Sequence, residues 1–316
     1  VLMALSTPAS IGGGTAADIT RALTRRRVDV KSKIVEFLLL GSLALTLLVL
    51  LVLIIDLIQR SWSVWTDQPW SFLTGNLNSQ NAAAGGIGQA IRGTIVLSII
   101  VVVVAFPLGV ACAVYLEEYA GRSRFAKITR INVRNLAGVP SIVYGILGLA
   151  IFVKAMGDVT GGSSVLSGGL ALSALVLPII VITASEALRA VPRSIREGAL
   201  GVGATEWETV RSHVLPSAAP GILTGTMLAL ARAAGEAAPI LLVGAATGLL
   251  RTGQQSILEQ LQGGFTALPV VIFSYARQPS EDFRALTAAA SLVLLIVVLL
   301  MNGIAIWLRN RYEKKW

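Results

Sequence analysis

The chain has 316 residues, of which 54% are hydrophobic and only 14% charged, and its mean hydropathy is strongly positive. That balance excludes an ordinary soluble domain and makes a polytopic membrane protein the default. The formal charge of +9 at pH 7 does not point to nucleic acid, because the basic residues are spread over several segments rather than gathered on one face with interleaved aromatics; anionic lipid headgroups explain them better.

Residues 1–33, with "IGGG" and few apolar runs, read as a mobile arm. The apolar run near 34–58 is too long for a signal-peptide core and has no small-residue cleavage site after it, so it reads as a retained membrane helix. Further apolar runs lie near 91–116, 133–153, 170–190, 217–246 and 285–308. Each is long enough to cross a hydrocarbon core of about 30 Å, which takes roughly 20 residues at about 1.5 Å of rise. Backbone groups in lipid must bond internally, and no short alternating segments suggest a barrel, so the prediction is an all-α polytopic membrane protein with six transmembrane helices.

Trp62, Trp65 and Trp70 outside the first helix, and Trp307, Tyr312 and Trp316 at the end of the last, sit where amphipathic rings anchor to an interface. Cys112, the single cysteine, has no partner for a disulfide and reads as a small packing residue. Pro107, Pro178 and Pro239 within predicted helices, and Pro140 opening the third, invite kinks.

Lys and Arg counts set the orientation. Of the 26, 19 fall in the arm, in the connections after the second and fourth helices, and in the tail at 309–316. That side is therefore expected to be cytoplasmic, with both termini on it and a long extracytoplasmic loop over 247–284. This loop reads equally well as a re-entrant packing element or as a docking surface.

Asp56 and Glu186 lie near helix ends and read as interfacial or paired residues, Glu186 with Arg189 one turn away. Arg232 differs, because it is twelve residues beyond Pro220, roughly 18 Å along a helix. An arginine at such depth costs about 2.5–3.5 kcal/mol on insertion scales and usually faces protein or a water-filled path. Glu236 follows one turn later, within reach of an i, i+4 contact, and the surrounding Gly and Ala either let helices approach closely or leave room for a pore. The pair can simply neutralise itself at a helix contact, or Arg232 can draw an anion into a path while Glu236 keeps it from sticking.

No G-x-x-x-x-G-K-[ST] occurs in the sequence, and the lone His213 has neither a metalloprotease motif nor a nucleophile beside it. Any ATP that powers transport is then hydrolysed by a partner. The longest charged connection, 191–216, predicts a helical run after Pro192, a break at Gly201 and Gly203, and a second helical stretch over Thr205–His213 that ends at Pro216. Trp207 and Val210 are expected on one face of it, with Glu206 and Arg211 outside.

The segment "EGALGVGATEWETVRSHVLP" resembles the EAA loop of bacterial ABC importer permeases: Glu-Ala-Ala, three residues, Gly, nine residues, then Ile-x-Leu-Pro. Glu197, Ala199, Gly203, Leu215 and Pro216 fall on that pattern, whereas Gly198 replaces the first alanine and His213 the isoleucine. The resemblance implies a helix that docks on a separate ATPase, with Trp207 on the same loop. With "GVACAVYLEEYA", "NLAGVPSIVYGILGL", "ARAAGEAAP" and "FTALPVVIFSYARQP", residues 90–308 resemble the phosphate-specific permeases of the PstA type.

That resemblance implies a type I ABC importer permease fold, half of a pore shared with a related permease (PstC type), and two cytoplasmic ATPases (PstB type) that bind ATP and Mg. It also implies an extracytoplasmic phosphate-binding protein (PstS type), no cofactor in this chain, and a place in the phosphate path for Arg232 and Glu236. A permease for sulfate or molybdate, or a membrane signalling subunit of a phosphate-sensing complex, remain the competing expectations.

Overall fold

The computed structural model describes residues 30–78, 81–121, 123–245 and 257–312. The mobile-arm expectation for residues up to 29, the first part of the 247–284 loop and the anchor at Trp316 lie outside them. Among the described residues, all regular structure is helical.

The chain divides into two compact units, Val1–Ile55 and Asp56–Trp316. The described part of the first is the opening of helix α1 (Val30–Asp67). From Phe37 to Leu53 it is free of charge, apolar on every side and exposed, as suits a helix solvated by lipid. Its hydroxyls bond back to the chain, Ser42 to the Leu39 carbonyl and Thr46 to the Ser42 carbonyl, both at 2.9 Å, leaving no unpaired donor for hydrocarbon.

In the second unit, α2 (Gly88–Val114) and α5 (Val165–Ala190) form the central contact. Glycines let them close: a Cβ on Gly109 would come within 2.6 Å of Ile180, and one on Gly169 within 2.5 Å of Ile100. α2 runs on into a π turn, Tyr115–Tyr119.

The predicted third span is not one straight helix. An amphipathic helix α3 (Arg124–Ala137) and the apolar α4 (Ser141–Gly148), which continues as a π segment to Ala155, meet at a bend of 103°. Gly138 and Pro140 sit at the break, and the proline ring bars the helical conformation of the residue before it. Length and composition thus give five helices able to cross a membrane, or six if this bent pair counts as one.

After α5 come α6 (Arg193–Gly201), a short turn at Glu206–Thr209, and a π segment, Val210–Val214, that flows into α7 (Leu215–Gly235). Pro216 therefore does not end the second helical stretch, contrary to the sequence expectation. It lies in the helical backbone that continues from the π segment into α7, and the wider π register just before it takes up the ring.

Beyond α7 lie α8 (Ala238–Val243), α9 (Leu268–Ala276) and α10 (Glu281–Tyr312). α9 packs on α2 and α10 with Leu268, Val271 and Tyr275 fully buried. Burial pushes the Tyr275 phenol up to about 12, and its hydroxyl donates to the Gly86 carbonyl at 3.1 Å. Half-buried Trp65 packs on this cluster too, edge-on to Phe72 at 5.9 Å, whereas Trp62 and Trp70 are exposed.

Candidate functional site

Arg232 sits in the last turn of α7, near carbonyls that the helix end leaves without partners, a favourable place for a cation. α7 stops at Gly235 because Pro239 lies ahead: its ring would strike the carbonyl of residue 235 if the helix continued. Glu236 is accordingly extended, at φ −84° and ψ 119°. The predicted continuous span 217–246 is thus broken between its two charges. They still meet, Arg232 Nε lying 3.5 Å from Glu236 Oε1, with 45% of the arginine side chain and 22% of the glutamate side chain exposed. At that separation the pair is held by charge without a hydrogen bond, and the guanidinium donors stay available.

The small residues expected around the pair divide by role. A Cβ on Gly225 would lie 2.2 Å from Thr183 Oγ1 and one on Gly221 2.8 Å from the Ala187 methyl, so these glycines serve close packing of α7 on α5. Gly235, beside the pair, faces open space. Arg232 lines a cavity of about 370 Å³ with Ala137, Ile179, Ile182, Thr183 and Leu228. Thr183 and Leu228 also line a wider groove of about 620 Å³ that passes Glu186, Thr224 and Arg309. From the other side, α8 closes on α4, where Gly145 admits Pro239 and Leu242 and Gly148 admits Ala171 and Val243.

The 191–216 loop is built by local signals. α6 ends in a Schellman motif: Gly203, at φ +91°, donates its N–H to the Leu200 carbonyl at 3.0 Å, and Ala204 donates to the Ala199 carbonyl at 3.1 Å. Only glycine takes that left-handed position readily. Thr205 then opens the next helix with a capping box, its hydroxyl accepting from Glu208 N–H while the Glu208 carboxylate accepts from Thr205 N–H at 2.9 Å.

Glu197 and Pro216 are exposed, Leu215 is half-buried and Ala199 is buried. Val202 at 87% and Trp207 at 56% exposure form an apolar tip. Trp207 does not share a face with Val210, which points into the core beside Val214; the two lie three residues apart across the change from α to π winding.

Sequence reasoning missed a second set of charges at the end of α2. Arg189 donates from Nε and Nη2 to both Glu117 oxygens at 2.7 and 2.8 Å, and Arg130 of α3 lies 3.4 Å from the same carboxylate and donates to the Leu116 carbonyl. Arg196 of α6 grips both Glu118 oxygens at 3.0 and 2.7 Å, and donates as well to the Val191 and Leu188 carbonyls at 2.8 and 2.9 Å. Its hydrogen bonds to Glu118 raise the Arg196 pKa above its ordinary value. Glu186, read as interfacial or paired with Arg189, is exposed and acts on Arg189 only as a nearby charge, while the ion pair of Arg189 is with Glu117. Two adjacent acids at the basic end of an apolar run were the available signal.

The family model for binding-protein-dependent transport system inner membrane components matches residues 105–315. The chain belongs to this family. The relatives of the permease include the phosphate transport system permease protein PstA 1 of Mycobacterium tuberculosis, 34% identical over 293 residues that cover 92% of each chain. PstA of Yersinia pestis is 35% identical over 225 residues, 71% of this chain and 72% of the relative. The probable ABC transporter permease protein YqgI of Bacillus subtilis is 33% identical over 250 residues, 75% and 82% of the two chains.

Among solved structures, a bacterial alginate ABC transporter, in complex with an alginate pentasaccharide-bound periplasmic protein, superposes with a TM-score of 0.65 at 16% identity. The match covers 90% of this chain and 96% of that one. An inward-facing MetNI methionine ABC transporter gives 0.53 at 18% identity over 72% and 95%. The permease therefore has the type I importer fold and is a multi-pass inner-membrane component.

Proposed function

We propose that this permease is a membrane-spanning subunit of an ATP-driven phosphate importer, supplying half of its pore. The observation that carries the reading is the loosely held pair Arg232 and Glu236 beside an open cavity, in a chain alike over 92% of its length to a phosphate permease. A planar guanidinium offers two parallel donors to phosphate oxygens. Glu236 competes for the same cation, so the anion is drawn in without being trapped. A partly protonated phosphate can also donate its hydroxyl to that carboxylate, whereas sulfate has only acceptors.

In this reading the basic end of the bundle, with both termini, is cytoplasmic. The 191–216 loop docks on one of two PstB-type ATPases, which hold ATP and Mg, and its apolar tip at Val202 and Trp207 with exposed Glu197 suits a groove on that partner. A PstC-type permease completes the pore, and a PstS-type binding protein delivers phosphate from outside. The test is uptake of labelled phosphate into proteoliposomes holding the assembled importer and binding protein, competed with excess sulfate. Accumulation that survives sulfate and is lost in Arg232→Ala is the expected result. Unchanged uptake in an assembled Arg232→Ala importer overturns the role of the pair, and a Glu236→Gln importer with an unaltered phosphate to sulfate ratio removes the carboxylate's part.

A further inference from the structure

α6 has little apolar packing of its own: Ala199 is its buried residue, and Ile195 is only partly covered. A nine-residue helix is marginal alone and would swivel under load unless something fixed both its position and its direction. Arg196 does so. Its fork meets both Glu118 oxygens, which sets orientation as well as distance. The same guanidinium takes carbonyls from the end of α5 and from Val191 just beyond it, where helix termini run short of donors.

One side chain therefore joins α6, the π turn ending α2, and the end of α5. Exposed ion pairs contribute little, but here the Glu118 side chain is only 10% exposed and that of Arg196 23%. The next residue, Glu197, points outward to the docking face. α5 in turn carries a wall of the groove, through Ile179, Ile182 and Thr183, and α2 packs along α5.

We propose that Glu118 and Arg196 are the positioning pair that makes α6 move as one body with the basic ends of α2 and α5, so that a push on the docking loop reaches the helices lining the path. This deepens the transport reading above and rests on it. A merely stabilising salt bridge would alter assembly or melting, whereas a transmission strut alters how much transport each ATP yields.

The experiment uses the full importer with Cys112→Ser and spin labels at Ser194→Cys, exposed on α6, and Tyr119→Cys, one on each side of the pair, measured by pulsed electron resonance with and without trapped ATP. The wild-type pair should give one narrow distance, the same in both states. Glu118→Gln and Arg196→Lys should broaden it and lower phosphate taken up per ATP hydrolysed by about threefold or more, the scale on which single side chains modulate coupling. ATP hydrolysis itself should continue.

A broadened distance with unchanged uptake per ATP overturns the proposal, as does a narrow distance in both variants. Should Glu118→Gln fail to assemble, Arg196→Lys, which keeps the charge and loses the fork, decides alone. A wild-type importer that moves no phosphate defeats the transport reading, while the label distance, which needs no substrate, still judges the strut.

Discussion

The permease holds two sets of opposite charges next to apolar helices, and they are built to different tolerances. At the end of α2, Glu117 and Glu118 each meet an arginine through two bonds of 2.7–3.0 Å, and both carboxylates are nearly covered. At the end of α7, Arg232 meets Glu236 once, at 3.5 Å, beside open space. Paired density separates them: a saturated fork leaves nothing to exchange, whereas a single long contact can be replaced by a passing oxyanion at small cost.

The contrast breaks most severely if Glu117 is removed. Glu117→Ala leaves Arg189 and Arg130 without their shared carboxylate, and unfolding of the detergent-solubilised importer should show a loss of about 2.5 kcal/mol, below the scale for a fully buried pair because 46% of the Arg189 side chain is exposed. Packing near the groove gives the next largest effect. Gly225→Ala must displace Thr183 and should cost about 2 kcal/mol, while Gly235→Ala, facing nothing, should stay within about 0.5 kcal/mol of wild type. Equal melting of the two would remove the distinction between packed and open glycines.

Arg232→Ala should reverse the pattern seen at Glu117, with melting almost unchanged and phosphate uptake falling about tenfold, equivalent to roughly 1.4 kcal/mol. A large melting shift without a transport defect would class it with the saturated set. A smaller loss is expected at Gly203→Ala, where φ +91° costs a side chain about 1 kcal/mol. ATPase association in pull-downs should weaken while membrane insertion is kept.

Much of this was legible in the sequence because it is locally encoded. Long apolar runs announced the spans, and the spacing of Glu197, Ala199, Gly203 and Pro216 announced a loop whose glycine the structure puts in a left-handed cap. Arg232 and Glu236 stood out as charges in a run of small residues. The breaks were harder. Pro140 and Pro239 were visible, but whether a proline kinks a helix or ends it depends on what packs around it, and here α3 turns by 103° into α4 while α7 stops outright. The Glu117 and Glu118 clamp was out of reach because its partners lie 72 and 78 residues away, and sequence proximity favoured Glu186 for Arg189. The packing of Trp65 on the α9–α10 cluster was out of reach for the same reason, since that cluster lies far along the chain.

The docking loop holds its shape by a Schellman turn and a capping box, both closed within a few residues of chain. Its outermost side chains, Val202 and Trp207, take no part in either device. Shape and surface are therefore separately variable: under the proposed docking, substitutions at the tip retune which ATPase is recognised without loosening the frame. On that proposal a lineage changes partners gradually at these two positions while the path above is left as it was.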